Sequence, residues 1–390
     1  SEIDDVWNSL PNQEENRNYN TQYSKNNTIN TNLVSRPIFD TAVIDYPNRS
    51  IYSEKNNEDS KVDEYQIFKQ NSFYDLPEDT GEIIDTFVWN NDLYSHTPKA
   101  LWRNFVNTVT REANSIGDVV LGTGGLFQLP SQKIITAEGG YGGTISQFGN
   151  IITPYGYFFV DLLQRKVFKL TDNLEEVSLQ GMQQYFDEKL LVQKDGGGNV
   201  IDNTFSNTAA TGITMGWDNE YKRVIVTQKG SGEFTISYYP LNQAWVSLHS
   251  YLPNTYISYD KFLYSIINNT AGTADFHVHN EGNYGVYHNN PIQECNVTII
   301  SNAKAELQKA FDNFMIHSRS FDNGVYINED TFNTIRCKGL YLDSEELNIN
   351  TTNAFNPTVT NDEILCRWKK SQYQLAIPRD KQEINLDTTN

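Results

Sequence analysis

Gly139–Leu170 reads GGYGGTISQFGNIITPYGYFFVDLLQRKVFKL. Two apolar runs, Tyr155-Gly156-Tyr157-Phe158-Phe159-Val160 and Val167-Phe168-Lys169-Leu170, flank the polar span Asp161–Lys166. Short apolar runs joined by a polar turn predict an antiparallel β-hairpin. The glycines around Tyr141 allow positive φ or a close approach to another backbone. They are read here as close-packed backbone.

The same unit recurs along the chain. Ala42–Tyr52 reads as strand, turn and strand. Glu82–Tyr94 repeats it around Asn90-Asn91-Asp92, Met215–Val226 around Asp218-Asn219, and Tyr256–Tyr264 around Asp260-Lys261. Successive copies are spaced by about 40 to 45 residues where nothing is inserted, which is the length of a four-stranded propeller blade. The chain carries no WD dipeptide, kelch glycine pair or Asp-box, and a generic meander or sandwich produces the same turns. The expected fold is mainly β: propeller-like repeated antiparallel blades with helical insertions, then a small C-terminal β-domain.

The insertions are expected at Thr97–Asn114, where Ala100, Leu101, Phe105, Val106 and Val109 fall at helical spacing, and at Leu174–Leu190. Asp195-Gly196-Gly197-Gly198-Asn199 reads as a flexible loop. Residues 1–32 are rich in Asn, Gln and Glu and bury too little to offset their ordering, so they read as an extended, assembly-dependent arm. Residues 33–288 form the expected propeller-like domain and residues 289–380 the small β-domain, with a loose tail at 381–390. In the small domain Cys295–Ser301, Phe332–Cys337, Ile364–Lys369 and Gln374–Pro378 read as strands. Lys304–His317 fits an amphipathic helix or, from Ala310, the start of a strand.

The 390 residues carry 30 basic and 49 acidic side chains, a formal charge of −19. Such a surface is a poor partner for nucleic acid or an anionic membrane, although it can line a channel through which DNA slides without sticking. Aromatics make up 13% of the chain against only 38% hydrophobic residues, so bulky rings must build much of the core. Three cysteines, Cys295, Cys337 and Cys366, are too few and too scattered for a disulfide framework and fit a reducing compartment. No apolar run is long enough to span a bilayer, so membrane insertion is not expected. The start SEIDDVW has no signal-peptide character and lacks an initiator Met, which predicts a mature fragment of a longer precursor or the ordered part of one.

Constellations for chemistry are thin. His277 and His279 share a strand face and, with His288, have ligand types for a metal, or they merely decorate a hairpin. Gly122-Thr123-Gly124-Gly125 resembles part of a phosphate loop but lacks the Lys-Ser/Thr ending, which favours a strand-end turn. Asp161, Asp218 and Asp260 occupy what read as equivalent turns; paired carboxylates hydrolyse glycosides, but a turn Asp ordinarily caps its own hairpin. Trp and Tyr rings suit a sugar platform, or core and subunit contacts. No G-x-S-x-G, H-E-x-x-H or C-x-x-C motif occurs. No catalytic, cofactor-binding or metal residue is therefore assigned, no cofactor is expected, and the chain is read as a non-enzyme.

Several segments carry a family likeness: Gly122–Phe127, Tyr141–Gly149, Thr153–Asp161, Gln180-Gly181-Met182, Trp245–Pro253 and His279–Tyr284. In this order they resemble the C-terminal part of the large tail protein of crAss-like bacteriophages, the muzzle or tail stabilisation family, over residues 35–380. The resemblance implies a virion structural protein at the distal end of a short tail, assembled in the bacterial cytoplasm. It implies a ring of identical copies that closes the tail channel and then passes DNA and ejected proteins. Implied partners are copies of itself, tail hub and ring proteins, DNA in passage without specific binding, and a host receptor or surface glycan. The alternative reading is a host-surface glycan-binding tail module.

Overall fold

The computed structural model describes residues 46–53, 68, 72–106, 110–114, 117–121, 127, 129–136, 139–202, 204, 210–268, 273–283, 285–288, 291, 293–300, 313–322, 325–327, 331–339, 343–350, 363–369 and 372–376. The chain divides into two compact units, Ser1–Cys295 and Asn296–Asn390.

The first unit opens with a two-stranded ladder of β1 (Arg49–Ile51) and β2 (Phe73–Asp75). Four antiparallel meanders follow. The first sheet runs β3 (Asp85–Trp89), β4 (Asp92–Thr97), β5 (Ala100–Asn104) and β8 (Gln132–Ile134), with the hairpin β6 (Thr110–Asn114) and β7 (Gly117–Leu121) inserted before its last strand. The second runs β9 (Asn150–Thr153), β10 (Gly156–Asp161), β11 (Lys166–Leu170) and β12 (Leu174–Glu176). The third runs β13 (Gly212–Asp218), β14 (Arg223–Lys229), β15 (Phe234–Tyr239) and β16 (Ala244–His249). The fourth has three strands, β17 (Thr255–Tyr259), β18 (Phe262–Asn268) and β19 (Ala274–Val278). In each sheet the strands lie side by side in chain order.

The hairpins follow from local chemistry. Asn90 and Asn91 both take positive φ, 46° and 66°, the geometry of a two-residue turn whose twist matches the flanking strands. In the β10–β11 hairpin Tyr157 faces Leu170 and Phe159 faces Phe168 across the ladder.

Alternation along each strand sends one set of side chains to each face, and the first three meanders are packed on both faces. Tyr157, Phe159, Phe168, Leu170 and Leu174 pack against Tyr94 and Leu101 of the first sheet. From the opposite face of the second sheet, Phe158, Val160 and Val167 pack against Ile213, Met215, Trp217 and Val226 of the third. The far face of the third sheet supplies Ile225 to Tyr256 and Leu263 of the fourth. β1 and β2 cover the outer side of the first sheet, where Leu76 joins Ala100 and Trp102.

Backbone also approaches backbone. A Cβ on Gly143 would sit 2.3 Å from the Pro98 carbonyl oxygen at the β4–β5 turn. Nothing larger than hydrogen fits, so Gly143→Ala is expected to cost about 2–3 kcal/mol, the scale of overpacking a tight interior. A lowered urea midpoint with an unchanged slope is the measurement that checks it.

The second unit is described by itself. Its strands are β20 (Asn313–Ile316), β21 (Ser320–Asp322), β22 (Val325–Ile327), β23 (Thr334–Ile335), β24 (Leu347–Asn350), β25 (Glu363–Lys369) and β26 (Gln372–Ala376). Five of them form one sheet in the order β20-β26-β25-β24-β23, with β24 and β25 parallel. Leu347, Ile364, Cys366, Tyr373 and Leu375 are its buried core.

Four sequence readings are corrected. Thr97–Asn114 is not a helix: Ala100, Leu101 and Trp102 are successive buried residues of β5, a strand covered on both faces, whose apolar run mimics helical spacing. Leu174–Leu190 begins as strand β12, and only α1 (Gln183–Lys189) is helical, burying Phe186. Residues 295–300 form no strand. Asp195–Asn199 is a closed turn, with the Asp195 carboxylate accepting from the Gly197 and Asn199 amides at 2.8 Å each. The arm 1–32, the Ala42–Ile44 strand, the Gly122–Gly125 turn, most of Lys304–His317 and the tail 381–390 lie outside the described residues.

Candidate functional site: the join between the third and fourth sheets

Most sheet joins in the first unit are greasy. The join of the third and fourth sheets is polar. The inward faces of β13, β14 and β15 carry Asp218, Arg223, Thr227, Thr235 and Ser237, because pairs facing each other across the ladder point the same way. Against them lie Tyr256, Ser265 and His277 of the fourth sheet. The Thr227 hydroxyl is 2.9 Å from that of Thr235 and 2.7 Å from the Tyr256 hydroxyl.

Four histidines gather here with Tyr251. The His277 and His288 rings are 4.7 Å apart, and His279 lies 5.7 Å from His288. Tyr251 stands 5.0 Å from His249, 5.1 Å from His279 and 5.3 Å from His288. His249 and His288 meet hydroxyls rather than carboxylates, Ser237 Oγ at 3.1 Å and Ser265 Oγ at 2.8 Å. His279 is buried, and its Nε2 has no protein partner. Burial holds His249, His279 and His288 as neutral imidazoles, each with a pKa lowered to about 4.

The three metal candidates His277, His279 and His288 are thus brought together. Their arrangement is a packed aromatic cluster: among the described residues no group of three His, Cys, Asp or Glu side chains is placed to hold a metal ion.

The three aspartates are not equivalent. Asp218 and Asp260 close the first hairpins of the third and fourth sheets, and the Asn219 side-chain amide donates to the Asp260 carbonyl at 2.9 Å. Asp218 is fully buried and binds Arg223 Nε at 2.9 Å and Asn280 Nδ2 at 3.1 Å. Asp161 closes the second hairpin of its sheet, at the far end of β10 from Tyr155, which approaches Trp217 beside Asp218. The length of β10 separates the two ends by about 17 Å, so these residues form no carboxylate pair.

Asp161 works as a tie. Its carboxylate accepts from the Gly143 amide at 2.9 Å, the Gln164 amide at 2.9 Å and Gln164 Nε2 at 2.7 Å. Burial pushes its pKa up, and these donors pull against that shift. Removing the carboxylate strands buried donors, so Asp161→Ala is expected to cost about 1–3 kcal/mol. Thermal melting of the variant beside the parent measures it.

Sequence reading missed His96. It is wholly buried between Phe87, Tyr157 and Phe159, and neither ring nitrogen has a protein partner. Burial lowers its pKa to about 3. The one available signal was its place in the apolar alternation of β4.

Among the described residues, the buried polar side chains at these joins act as ties between strands and loops. The cysteines are free thiols, with Cys295 exposed and Cys366 buried. Among the described residues no helix is long and apolar enough to cross a membrane. A comparison with the curated proteins finds no match. The family described as Crassvirus muzzle protein matches residues 3–269, which take in the β1–β2 ladder and the first three meanders and end just past β18. The chain therefore belongs to the Crassvirus muzzle protein family and is a structural protein of the virion of a crAss-like phage.

Proposed function

We propose that this chain forms part of the distal tail, in a ring of identical copies that closes the channel before infection and passes genome and proteins during ejection. The observation that carries this is the family match over most of the first unit. In this reading the four meanders are consecutive blades of a propeller. Their chain-order topology supports it, as do the contacts between first strands: Asn150 of β9 donates to Asp85 of β3 at 3.1 Å, and the Trp217 amide of β13 to Ser258 Oγ of β17 at 3.0 Å. The charge of −19 suits a lumen that repels DNA phosphates. The role is mechanical and uses no catalysis; buried aspartates that tie loops together are consistent with it.

Purified particles test the proposal. The chain is expected in fixed, symmetric copy number at the tail tip in a reconstruction of the particle. Recovery of the chain only as free monomer in lysate overturns it.

A further inference from the structure

Lys229 ends β14 in the third sheet, and Asn254 stands one residue before β17 in the fourth. Lys229 Nζ lies 3.0 Å from Asn254 Oδ1. Asn254 is buried, and its surroundings fix it from every side. Its backbone amide donates to the Ile266 carbonyl at 2.8 Å. Its Oδ1 also accepts from the Asn268 amide at 3.0 Å, and its Nδ2 donates to the Thr204 carbonyl. Donors at one end and a carbonyl at the other decide which atom of the carboxamide is oxygen. The group cannot turn over without stranding buried partners.

This pair has the parts of an acyl transfer. The partner of the lysine is a carboxamide rather than a carboxylate, so it carries a leaving group, ammonia. A backbone N–H held on Oδ1 polarises Cγ and stabilises negative charge that develops on the oxygen. Lys229 is half-buried, and burial lowers its pKa while the charge of Glu233 raises it. The desolvated, neutral amine is the nucleophilic form of lysine. Small torsions of the lysine stem carry Nζ from Oδ1 to Cγ, a shift of about 1.2 Å, the length of the C=O bond. Amide aminolysis is slow in water, but effective molarities of about 10⁵–10⁸ M are available to groups fixed in this way.

We infer that Lys229 and Asn254 join in an intramolecular isopeptide bond that staples the third sheet to the fourth. The lone pair of neutral Nζ attacks Cγ, and the tetrahedral oxyanion rests on the Asn268 amide. Nζ gives up a proton to the Glu233 carboxylate, and that proton passes on to Nδ2. The Cγ–Nδ2 bond breaks, ammonia leaves, and Nζ–Cγ remains as an amide. No oxidant or cofactor enters the balance. The reaction is a single turnover of the chain on itself, and it does not depend on the tail reading, since a free chain would carry the bond as well.

Mass spectrometry of the purified full chain tests it. The parent is expected to weigh one ammonia less than its sequence, and a tryptic digest should contain a branched peptide joining Lys229 to Asn254. Lys229→Arg keeps the charge but cannot form the bond, and Asn254→Ala removes the acyl group; both should have full mass and only linear peptides. Glu233→Gln, at an exposed position, keeps an oxygen for the Gly230 amide that Glu233 Oε1 accepts at 3.2 Å, and should leave most chains unlinked. A parent of full mass with linear peptides over both residues overturns the inference, whether or not any variant folds. A mass deficit that persists in Lys229→Arg also overturns it, because that deficit would be a succinimide at an asparagine. Complete linkage in Glu233→Gln overturns the proton route through Glu233.

Discussion

Phe159→Ala is expected to lower the unfolding free energy of the chain by about 3–5 kcal/mol, the cost of emptying a large ring from a sealed core. Phe159 is fully buried, with Phe168 at 5.4 Å, His96 at 4.6 Å and Tyr157 at 5.7 Å between ring centroids. Its ring edge also fills the space that a Cβ on Gly142 would meet at 2.9 Å. The void would open at the join of the first and second sheets, where backbone contacts such as Gly143 against Pro98 keep the surroundings from collapsing into it. Typical domains have about 5–15 kcal/mol in hand, so the loss would consume a large part of it. Urea unfolding followed by tryptophan fluorescence reads the loss. Val246→Ala, on an exposed position of β16, is the control and should shift stability by less than about 0.5 kcal/mol.

Acid is expected to unfold the first unit across the window from pH 6.5 down to about 3, and His96 is the largest single contributor. Its folded pKa, about 3, lies below the ordinary 6.5 because burial penalises the cation. The unfolded chain therefore binds this proton first. Stability is fully present above pH 6.5 and falls with pH until the folded pKa is reached. His249, His279 and His288 act in the same direction down to about 4. At 1.36 kcal/mol per pKa unit the His96 shift corresponds to about 5 kcal/mol and that of buried His279 to about 3 kcal/mol. Asp161 and Asp202 oppose the loss, since their pKa values are raised by burial and protonation favours their folded forms. Urea midpoints at pH 7.5, 6, 5 and 4 should fall steadily. His96→Phe should flatten the profile without loss of stability at pH 7.5, because it replaces a buried imidazole lacking protein partners with a ring that needs none. An unchanged profile in that variant would show that His96 does not carry the effect.

The hairpins were legible because their causes are local. Asn90-Asn91, Asp218-Asn219 and Asp260-Lys261 each announce a turn, and alternating residues on either side name the strands. Thr97–Asn114 misled for a physical reason. A strand covered on both faces loses its period of two, and Ala100-Leu101-Trp102 then reads like part of a helix. Likewise Val297, Ile299 and Ile300 have strand-forming side chains, yet they stand exposed without a ladder, since a strand requires a partner that its own residues do not specify.

The candidate site was less legible than the fold. His277 and His279 are neighbours in sequence, but His249 and His288 reach them only because the fourth sheet lies on the third. Asp161 and Asp218 look alike in sequence, each an Asp followed four residues later by a left-handed residue, Arg165 or Lys222, before the next strand. The direction of the chain puts them at opposite ends of the strands in two adjoining sheets. Kinship, net charge, turn positions and the β character were thus determined by the sequence itself, through short-range sterics, hydrogen bonding and composition. Which faces meet and which polar groups are sealed between them were decided by tertiary structure, because burial depends on what residues far along the chain bring to each surface.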